Sequence, residues 1–334
     1  MHASSFYEQE EWDLERILAR GQRFRPIPRV SVTDEGQSGE LTEALEKYRA
    51  LGIPLVIEDL HMLTSWPSEL FSAAWFQENS QQALDVWEVN ERKDIRMSIG
   101  DFFEYCRSPR LSGSGYPTYY AKDAQCPQEW RHWLLNSGLI PAELIPLGTD
   151  DLLKHLPLNA RPETLMCYLG IGGTFTPCHK DLCGSSGHNL MVYTENSGSA
   201  FWFMTKGEDA PAVAKYFRAD LGQMIDWENH AITIDELSAA PFDVFICEQK
   251  LGDFVLVPPR SCHQVVNHGG LTIKLSWSRV TLKGAEIAFY HELPLYRRVC
   301  RTETYRIKSL IHHAVRLTTN QCESALSGQP GQVL

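Results

Sequence analysis

Residues 174–190 read TFTPCHKDLCGSSGHNL and concentrate potential metal ligands. Cys178, His179, Asp181, Cys183 and His188 fall within eleven positions, and each of these residue types can bind a metal ion. His179 and Asp181 form an H-x-D pattern just after an apolar stretch that ends in GIGG. Because positions i and i+2 of an extended strand face the same way, this imidazole and this carboxylate can approach one ion from one side.

His263 is the best candidate for a third ligand. It lies in DFVLVPPRSCHQVVNHGG, where a predicted strand ends in a proline-stiffened turn and a histidine begins the next strand. Two histidines and one carboxylate on one face of an octahedron leave three positions open, as in the facial triad of non-haem iron(II) oxygenases. The pattern therefore predicts a catalytic iron(II) site formed by His179, Asp181 and His263, with O2 as a reactant.

Other interpretations of these side chains remain open. An isolated H-x-D pattern often occurs by chance, and a single distant histidine adds little. Cys178 and Cys183 could serve as zinc ligands, although Cys178 alternates away from His179 and such cysteines are usually small core residues. His188 and His268 are more often polar structural residues than ligands.

Composition limits the classes of protein that need to be considered. The chain has 334 residues, a formal net charge of −11 and nine scattered cysteines without a CxxC pair. The acidic balance argues against strong direct binding of nucleic acid and suits a basic peptide partner. No apolar run is long enough for a membrane span, and the acidic N-terminus lacks a secretory signal. We expect reduced thiols in an intracellular protein and no zinc finger.

Hydrophobic patterning divides the chain into three parts. Residues 1–115 mix predicted helices (EEWDLERILARG, LTEALEKYRALG, IGDFFEYC) with strands (IPLVIEDL, ALDVWEV), and SPRLSGSGYP at 108–117 is predicted to be a loop. Residues 116–283 contain many short apolar runs, which predict a sandwich or barrel of antiparallel strands with a helical insertion at about 207–241. Residues 284–334 are predicted to be helical, with a frayed polar end.

Several stretches of the middle part resemble, in order, the JmjC (Jumonji C) family of Fe(II)- and 2-oxoglutarate-dependent oxygenases. They are YYAKD, TFTPCHKD, NLMVY and GDFVLVPPRSCHQVVNHG, and the resemblance extends N-terminally to GIPLVIEDL and IRMSIGDFFEYC. The resemblance covers about two thirds of the chain. It implies an α+β fold with a mainly β core, a double-stranded β-helix or cupin-like barrel, flanked by an N-terminal mixed region and C-terminal helices. The motifs are most similar to those of demethylases that act on lysine 9 of histone H3.

The resemblance also implies a site for the cosubstrate 2-oxoglutarate, with one departure. Many members carry a lysine for the distal carboxylate on the strand after NLMVY, but here that strand reads GSAFWFM. Lys274 and Ser276 in IKLSW have the basic-x-Ser spacing that performs this role from the last strand in related oxygenases. The alternative is that Lys274 points to solvent from an edge strand.

Further cosubstrate contacts are implied by position in the same motifs. Thr176 is expected to donate a hydrogen bond from its hydroxyl to the distal carboxylate of 2-oxoglutarate. Asn189 is expected to donate one from its amide beside the end of 2-oxoglutarate that binds the metal. Trp202 is expected to form a wall of the pocket, and Tyr120, or alternatively Tyr119, to contact the cosubstrate or a methyl-lysine. Simple packing is the competing interpretation for Thr176 and Trp202.

The expected function is an Fe(II)- and 2-oxoglutarate-dependent dioxygenase that demethylates methyl-lysine on histone tails. A methylated histone tail or another basic peptide is the expected partner, and the nucleus the expected location. Two alternatives remain: a JmjC hydroxylase that modifies a non-histone side chain, and a catalytically silent JmjC scaffold. The motifs do not specify the lysine or its methylation state, because pocket shape decides both.

Overall fold

Two β-sheets form the centre of the molecule. The computed structural model describes residues 12–32, 39–80, 83–108 and 117–327. The strands that precede the middle part are β1 Phe24–Pro26, β2 Arg29–Ser31, β3 Leu55–Glu58, β4 Ala83–Glu88 and β5 Lys93–Ser98. The later strands are β6 Tyr119–Gln125, β7 Met166–Gly170, β8 Phe175–Lys180, β9 Ser186–Thr194, β10 Ser199–Met204, β11 Val244–Gln249, β12 Phe254–Val257, β13 Cys262–His268 and β14 Thr272–Arg279.

Strands β7 to β14 are divided equally between the two sheets. The five-stranded sheet has the order β1-β11-β10-β13-β8, and the nine-stranded sheet has the order β2-β3-β12-β9-β14-β7-β6-β4-β5. Four of the eight strands β7–β14 lie in each sheet, and those that neighbour one another pair antiparallel. This is the jelly-roll arrangement of cupin-like proteins, and it confirms the predicted α+β fold with a double-stranded β-helix core.

The helices lie outside these sheets. They are α1 Leu14–Ala19, α2 Gly39–Leu51, α3 Ala73–Asn79, α4 Ile99–Arg107, α5 Gln128–Asn136, α6 Ala210–Ala219, α7 Ile234–Ser238, α8 Leu282–Ile287, α9 Leu293–Val299 and α10 Ile307–Ser327. A π-helix, Ala288–Glu292, joins α8 to α9. Helices α6 and α7 belong to the predicted insertion between β10 and β11, and a short 3-10 turn, Ile225–Trp227, lies between them.

Burial on both faces explains why the central strands read as continuous apolar runs. All six residues of β10 are buried. One cluster, which includes Met191, Trp202 and Val255, comes from strands of both sheets and fills the space between them. A second cluster packs the insertion helices against the five-stranded sheet, and a third packs α2 to α5 against the nine-stranded sheet. A strand such as β10 therefore lacks the solvent-facing polar side of a strand with one face in water.

Some features of the fold were not predicted. The N-terminal strands extend both sheets, because β1 pairs with β11, β3 with β12 and β4 with β6. Strand β5 and helix α5 had no prediction. Helix α10 continues to Ser327, and the rest of the end that was predicted to be frayed lies outside the described residues. The division of the chain after 115 and after 283 stays a prediction, and most of the loop predicted at 108–117 lies outside the described residues. Within the described ranges, no helix has both the length and the apolarity needed to cross a membrane.

Candidate metal and cosubstrate site

Strand pairing brings the three predicted metal ligands together. His179 lies near the end of β8, Asp181 follows that strand, and His263 stands directly opposite His179 on the neighbouring β13. The two imidazole rings are 4.2 Å apart between centroids, and His263 Nε2 lies 4.0 Å from Asp181 Oδ1. One candidate ligand atom from each residue lies within 4.8 Å of the other two. Three side chains at this spacing could bind one ion.

Hydrogen bonds orient both imidazole rings for metal binding. His179 Nδ1 lies 2.8 Å from the Pro177 carbonyl oxygen, and His263 Nδ1 lies 3.0 Å from the Ser261 carbonyl oxygen. A carbonyl can only accept, so each Nδ1 carries the proton and each Nε2 keeps its lone pair. Metal-binding histidines usually donate a hydrogen bond in this way, from the N–H of the ring nitrogen that does not bind the metal.

The electrostatic state of the triad also fits a cation. Burial, together with the neighbouring His263, lowers the pKa of His179 to about 4, and burial lowers the pKa of His263 to about 4. Both rings are therefore neutral at pH 7, which is the form that binds metals. Burial raises the pKa of Asp181, and its buried Oδ2 has no hydrogen-bond partner among the described residues. A bound cation would supply that partner and stabilise the carboxylate.

A cavity of about 90 Å³ extends from the triad between the two sheets. All of the predicted site residues border it: Tyr120, Thr176, His179, Asp181, Asn189, Trp202, His263, Lys274 and Ser276. Their arrangement follows from register, because Asn189 and Met191 on β9 stand opposite Ser276 and Lys274 on β14 and directly opposed residues share a face. The alternative Tyr119 does not border the cavity and packs against Tyr105 instead, at 4.8 Å between ring centroids.

Lys274 is buried in the wall of this cavity. Its side chain is 1% exposed, which excludes the alternative of a solvent-facing lysine on an edge strand. Its Nζ donates to Asn267 Oδ1, and the described residues provide no carboxylate that pairs with it. Burial lowers the pKa of the amine to about 7. A buried amine with one amide partner favours an anionic ligand in the cavity, because an uncompensated buried charge is costly.

Aromatic and hydroxyl groups complete the wall. The Trp202 ring lies 6.0 Å from the His263 ring in a nearly parallel orientation, and Ser276 Oγ donates to the His188 carbonyl oxygen at 3.0 Å. Tyr120 is buried, and burial raises its pKa to about 12 while its hydroxyl interacts with Thr176 and Asn267. The phenol is therefore a neutral hydrogen-bond donor near Lys274's amide partner.

Sequence reasoning missed two amides that hold the predicted residues. Asn267 accepts from Lys274 and donates to Thr174 Oγ1 at 2.8 Å. Gln249 is fully buried; its Oε1 accepts from Trp202 Nε1 at 2.8 Å and its Nε2 donates to Asn189 Oδ1 at 3.0 Å. A role for Asn267 in the site could have been predicted, since it lies four positions after His263 on β13 and alternation along a strand places both on one face. Gln249 had no signal in the sequence.

A further pair that sequence reasoning missed, Tyr168 and Asp123, connects the wall of the cavity to the exposed surface, and we call this place the mouth of the cavity. Tyr168 borders the cavity, and its hydroxyl donates to Asp123, which is exposed. A β-bulge in β6 between Ala121 and Ala124, with Asp123 in the left-handed region at φ 57°, turns this carboxylate toward Tyr168. Bulges often redirect side chains next to functional sites.

The competing metal ligands do not join the triad, although His188 borders the same cavity. Cys178 is buried in the cluster between the five-stranded sheet and the insertion, and Cys183 is buried in a cluster with the C-terminal helices. His188 stacks on Trp277 at 5.3 Å between centroids, and His268 packs near Trp12. Within the described part of the chain, His179, Asp181 and His263 are the one group of three such side chains close enough to share an ion.

Comparison with known families and proteins gives one family match and one related protein. Residues 166–278 match the family described as "JmjC domain, hydroxylase". The chain is also 37% identical over 206 residues to "C-module-binding factor A" of Dictyostelium discoideum, a match that covers 61% of this chain and 20% of that protein. The chain therefore contains a JmjC domain, a cupin-like jelly roll of the 2-oxoglutarate-dependent oxygenase family, whose members in general depend on Fe(II). It spans about a fifth of the length of the relative that it matches.

Proposed function

We propose that this protein is an Fe(II)- and 2-oxoglutarate-dependent dioxygenase that demethylates N-methyl-lysine in basic polypeptides such as histone tails. One observation carries the oxygenase part of the proposal. A partly buried His-Asp-His group and a buried lysine, for which the described residues provide no carboxylate partner, border the same cavity. The group fits a divalent metal, and the lysine fits the distal carboxylate of a small dicarboxylate.

The residues have separate tasks in this proposal. His179, Asp181 and His263 would hold Fe(II), which together with 2-oxoglutarate and O2 supplies the oxidation of a substrate C–H bond to C–OH, with CO2 and succinate as the other products. Lys274 would hold the distal carboxylate of 2-oxoglutarate, assisted by the hydroxyls of Thr176 and Tyr120. On an N-methyl group the hydroxylated product breaks down to the free amine and formaldehyde.

Asn189 and Trp202 would shape the metal-proximal part of the cavity. Gln249 occupies the Asn189 oxygen, so the amide nitrogen is the Asn189 group left to donate to a ligand. Gln249 also holds Trp202 against His263, where the indole keeps water away from the ring. A dry wall strengthens charge interactions inside the site.

The mouth of the cavity supports a cationic polypeptide substrate. Asp123 presents a carboxylate beside Tyr168 at this mouth. It also borders a second, wider cavity of about 290 Å³, whose wall includes Asp85, Glu163, Lys122 and Arg131. We propose that a peptide whose reacting side chain enters the metal cavity would lie along this larger cavity. The net charge of −11 favours a basic peptide, and a histone substrate would place the protein in the nucleus.

A protein hydroxylase is the second candidate, because the matched family is described as a hydroxylase. The same cavity would serve it, and the difference lies in whether the oxidised carbon is bonded to nitrogen. A silent scaffold is the third candidate, but the complete His-Asp-His group argues against it.

Mass spectrometry separates these candidates. The purified chain is incubated with Fe(II), ascorbate, 2-oxoglutarate and a panel of methylated and unmethylated histone peptides, with His179→Ala as the control. Loss of one CH2 mass per methyl group, with succinate and formaldehyde, supports demethylation. Gain of one oxygen mass supports stable hydroxylation. No succinate under any condition would contradict both enzymatic proposals and favour the scaffold.

A further inference from the structure

Lys180 occupies the position between two of the proposed metal ligands, but its side chain leaves the cavity. It is 6% exposed and does not border the cavity that contains His179 and Asp181. Its Nζ lies 3.1 Å from Asp226 Oδ1, in the 3-10 turn of the insertion, and 3.0 Å from Glu292 Oε2, at the end of the π-helix. One buried amine therefore joins the segment that carries His179 and Asp181, which we call the metal-bearing segment, to two elements outside the jelly roll.

Glu292 also binds the segment that leads into β13, the strand that carries the third proposed ligand, His263. Its Oε1 accepts from Arg260 Nε at 2.8 Å, and Arg260 lies three residues before His263. The Arg260 backbone has a φ of 65°, a conformation that a non-glycine residue adopts at a cost. The end of β8 and the turn into β13 are thus both bound to one carboxylate, which is 1% exposed.

The strands need such support at this point. His179 and His263 stand opposite each other, but the register between β8 and β13 shifts just beyond them, between His263 and Val265. A bulge disrupts the regular ladder of hydrogen bonds locally. Stability alone is a weak explanation for the ion cluster, because buried ion pairs often stabilise a fold no better than apolar residues would. Specific positioning is the better explanation.

We infer that Lys180, Asp226, Glu292 and Arg260 form a positioning cluster that sets the metal affinity of the triad. The inference rests on the proposed metal site. It makes the insertion and the C-terminal helices parts of the metal site, although neither supplies a ligand. The four residues carry two positive and two negative charges, so the cluster is neutral as a whole and each charge depends on the others.

Titration of Co(II) into the metal-free full chain, followed by its visible absorption, tests the inference without any turnover. We expect Lys180→Met to raise the Kd for Co(II) by about tenfold or more and to change the absorption band, since residues that support metal ligands typically have effects of this size. Lys180→Arg, which keeps the positive charge, should recover part of the affinity. Glu292→Gln, which is nearly isosteric, gives an independent test should Lys180→Met fold poorly.

Asp151→Asn is the matched control. Asp151 is also a fully buried carboxylate, but it accepts from the backbone amides of Leu147, Leu153 and Val280 and touches neither metal-bearing strand. It should lower the melting temperature and leave the Kd for Co(II) unchanged. Equal Kd values for Lys180→Met, Glu292→Gln and this control would overturn the inference alone. Failure of the unaltered chain to bind Co(II) would overturn the proposed function, and the inference with it.

Discussion

At the scale of single residues, Lys274 constrains the identity of the ligand more than any other side chain in the cavity. The metal triad alone would suit several chemistries, but a buried amine opposite it selects for an anion. Among the described residues the amine has only the Asn267 amide as a hydrogen-bond partner, so a carboxylate that enters the cavity would form its first ion pair there. The substitution Lys274→Ala should therefore affect the cosubstrate specifically.

We expect Lys274→Ala to raise the KM for 2-oxoglutarate by about tenfold or more. A hydrogen bond to a charged group contributes about 1.5–3 kcal/mol, and about 1.4 kcal/mol corresponds to a factor of ten. The affinity for Co(II) should stay the same, because Lys274 is not a proposed ligand. Lys283→Ala, at a side chain that is 72% exposed, is the control. An unchanged KM in Lys274→Ala would refute the role of this residue.

The protonation of Lys274 gives a second prediction. Burial lowers its pKa to about 7, so the amine loses its proton as the pH rises through that value. A bound carboxylate favours the charged amine, so Lys274 should take up a proton from solution when 2-oxoglutarate binds near pH 8, and little or none near pH 6. Calorimetry in buffers with different ionisation enthalpies measures this uptake. Equal uptake by the unaltered chain and Lys274→Met near pH 8 would argue against it.

At the scale of elements, close approach between β9 and the metal-bearing segment fixes Asp181. A Cβ added at Gly187 on β9 would lie 2.3 Å from Asp181 Oδ2. We expect Gly187→Ala to displace this carboxylate and to weaken Co(II) binding by about tenfold. Gly39→Ala is the control, since a Cβ there meets nothing within 4 Å. Full retention of Co(II) affinity in Gly187→Ala would contradict the claim that this close approach fixes the Asp181 carboxylate.

The bulge in β6 gives a prediction about the substrate. Because it directs Asp123 to the mouth and not into the metal cavity, Asp123→Asn should raise the KM for a methylated basic peptide and leave the KM for 2-oxoglutarate unchanged. Steady-state kinetics with each substrate varied in turn measures both constants. Asp94→Asn, on the neighbouring hairpin strand β5, is the control. A parallel rise in both constants would instead indicate general damage to the site.

Strand periodicity explains which parts of the site could be predicted from the sequence. His179 and Asp181, like Lys274 and Ser276, are two positions apart, so alternation along a strand places each pair on one face. Gln249 and Lys180 could not be assigned a role in this way. Gln249 is 60 residues from Asn189, and Lys180 is 112 residues from Glu292, so their contacts depend on how distant elements pack. The direction of the Asp123 side chain could not be predicted either, because the bulge in β6 interrupts the strand alternation on which such predictions rest.

At the scale of the whole molecule, we propose that the jelly roll and its additions act together as one site. The jelly-roll strands supply the triad and the lysine, while the insertion and the C-terminal helices bind the backs of the metal-bearing strands through Lys180 and Glu292. The order of the strands could be expected from the JmjC resemblance. The extension of both sheets by N-terminal strands could not, since short strands such as β1 and β2 lack a clear pattern of their own.

Crystallography of the chain with Fe(II) and N-oxalylglycine, an unreactive analogue of 2-oxoglutarate, tests the central claim most directly. Anomalous scattering at the iron edge locates the metal independently of the protein coordinates. We predict one iron peak bound by His179, Asp181 and His263, with the distal carboxylate of the analogue on Lys274 Nζ. An iron peak at other side chains, or an analogue bound away from Lys274, would contradict the account.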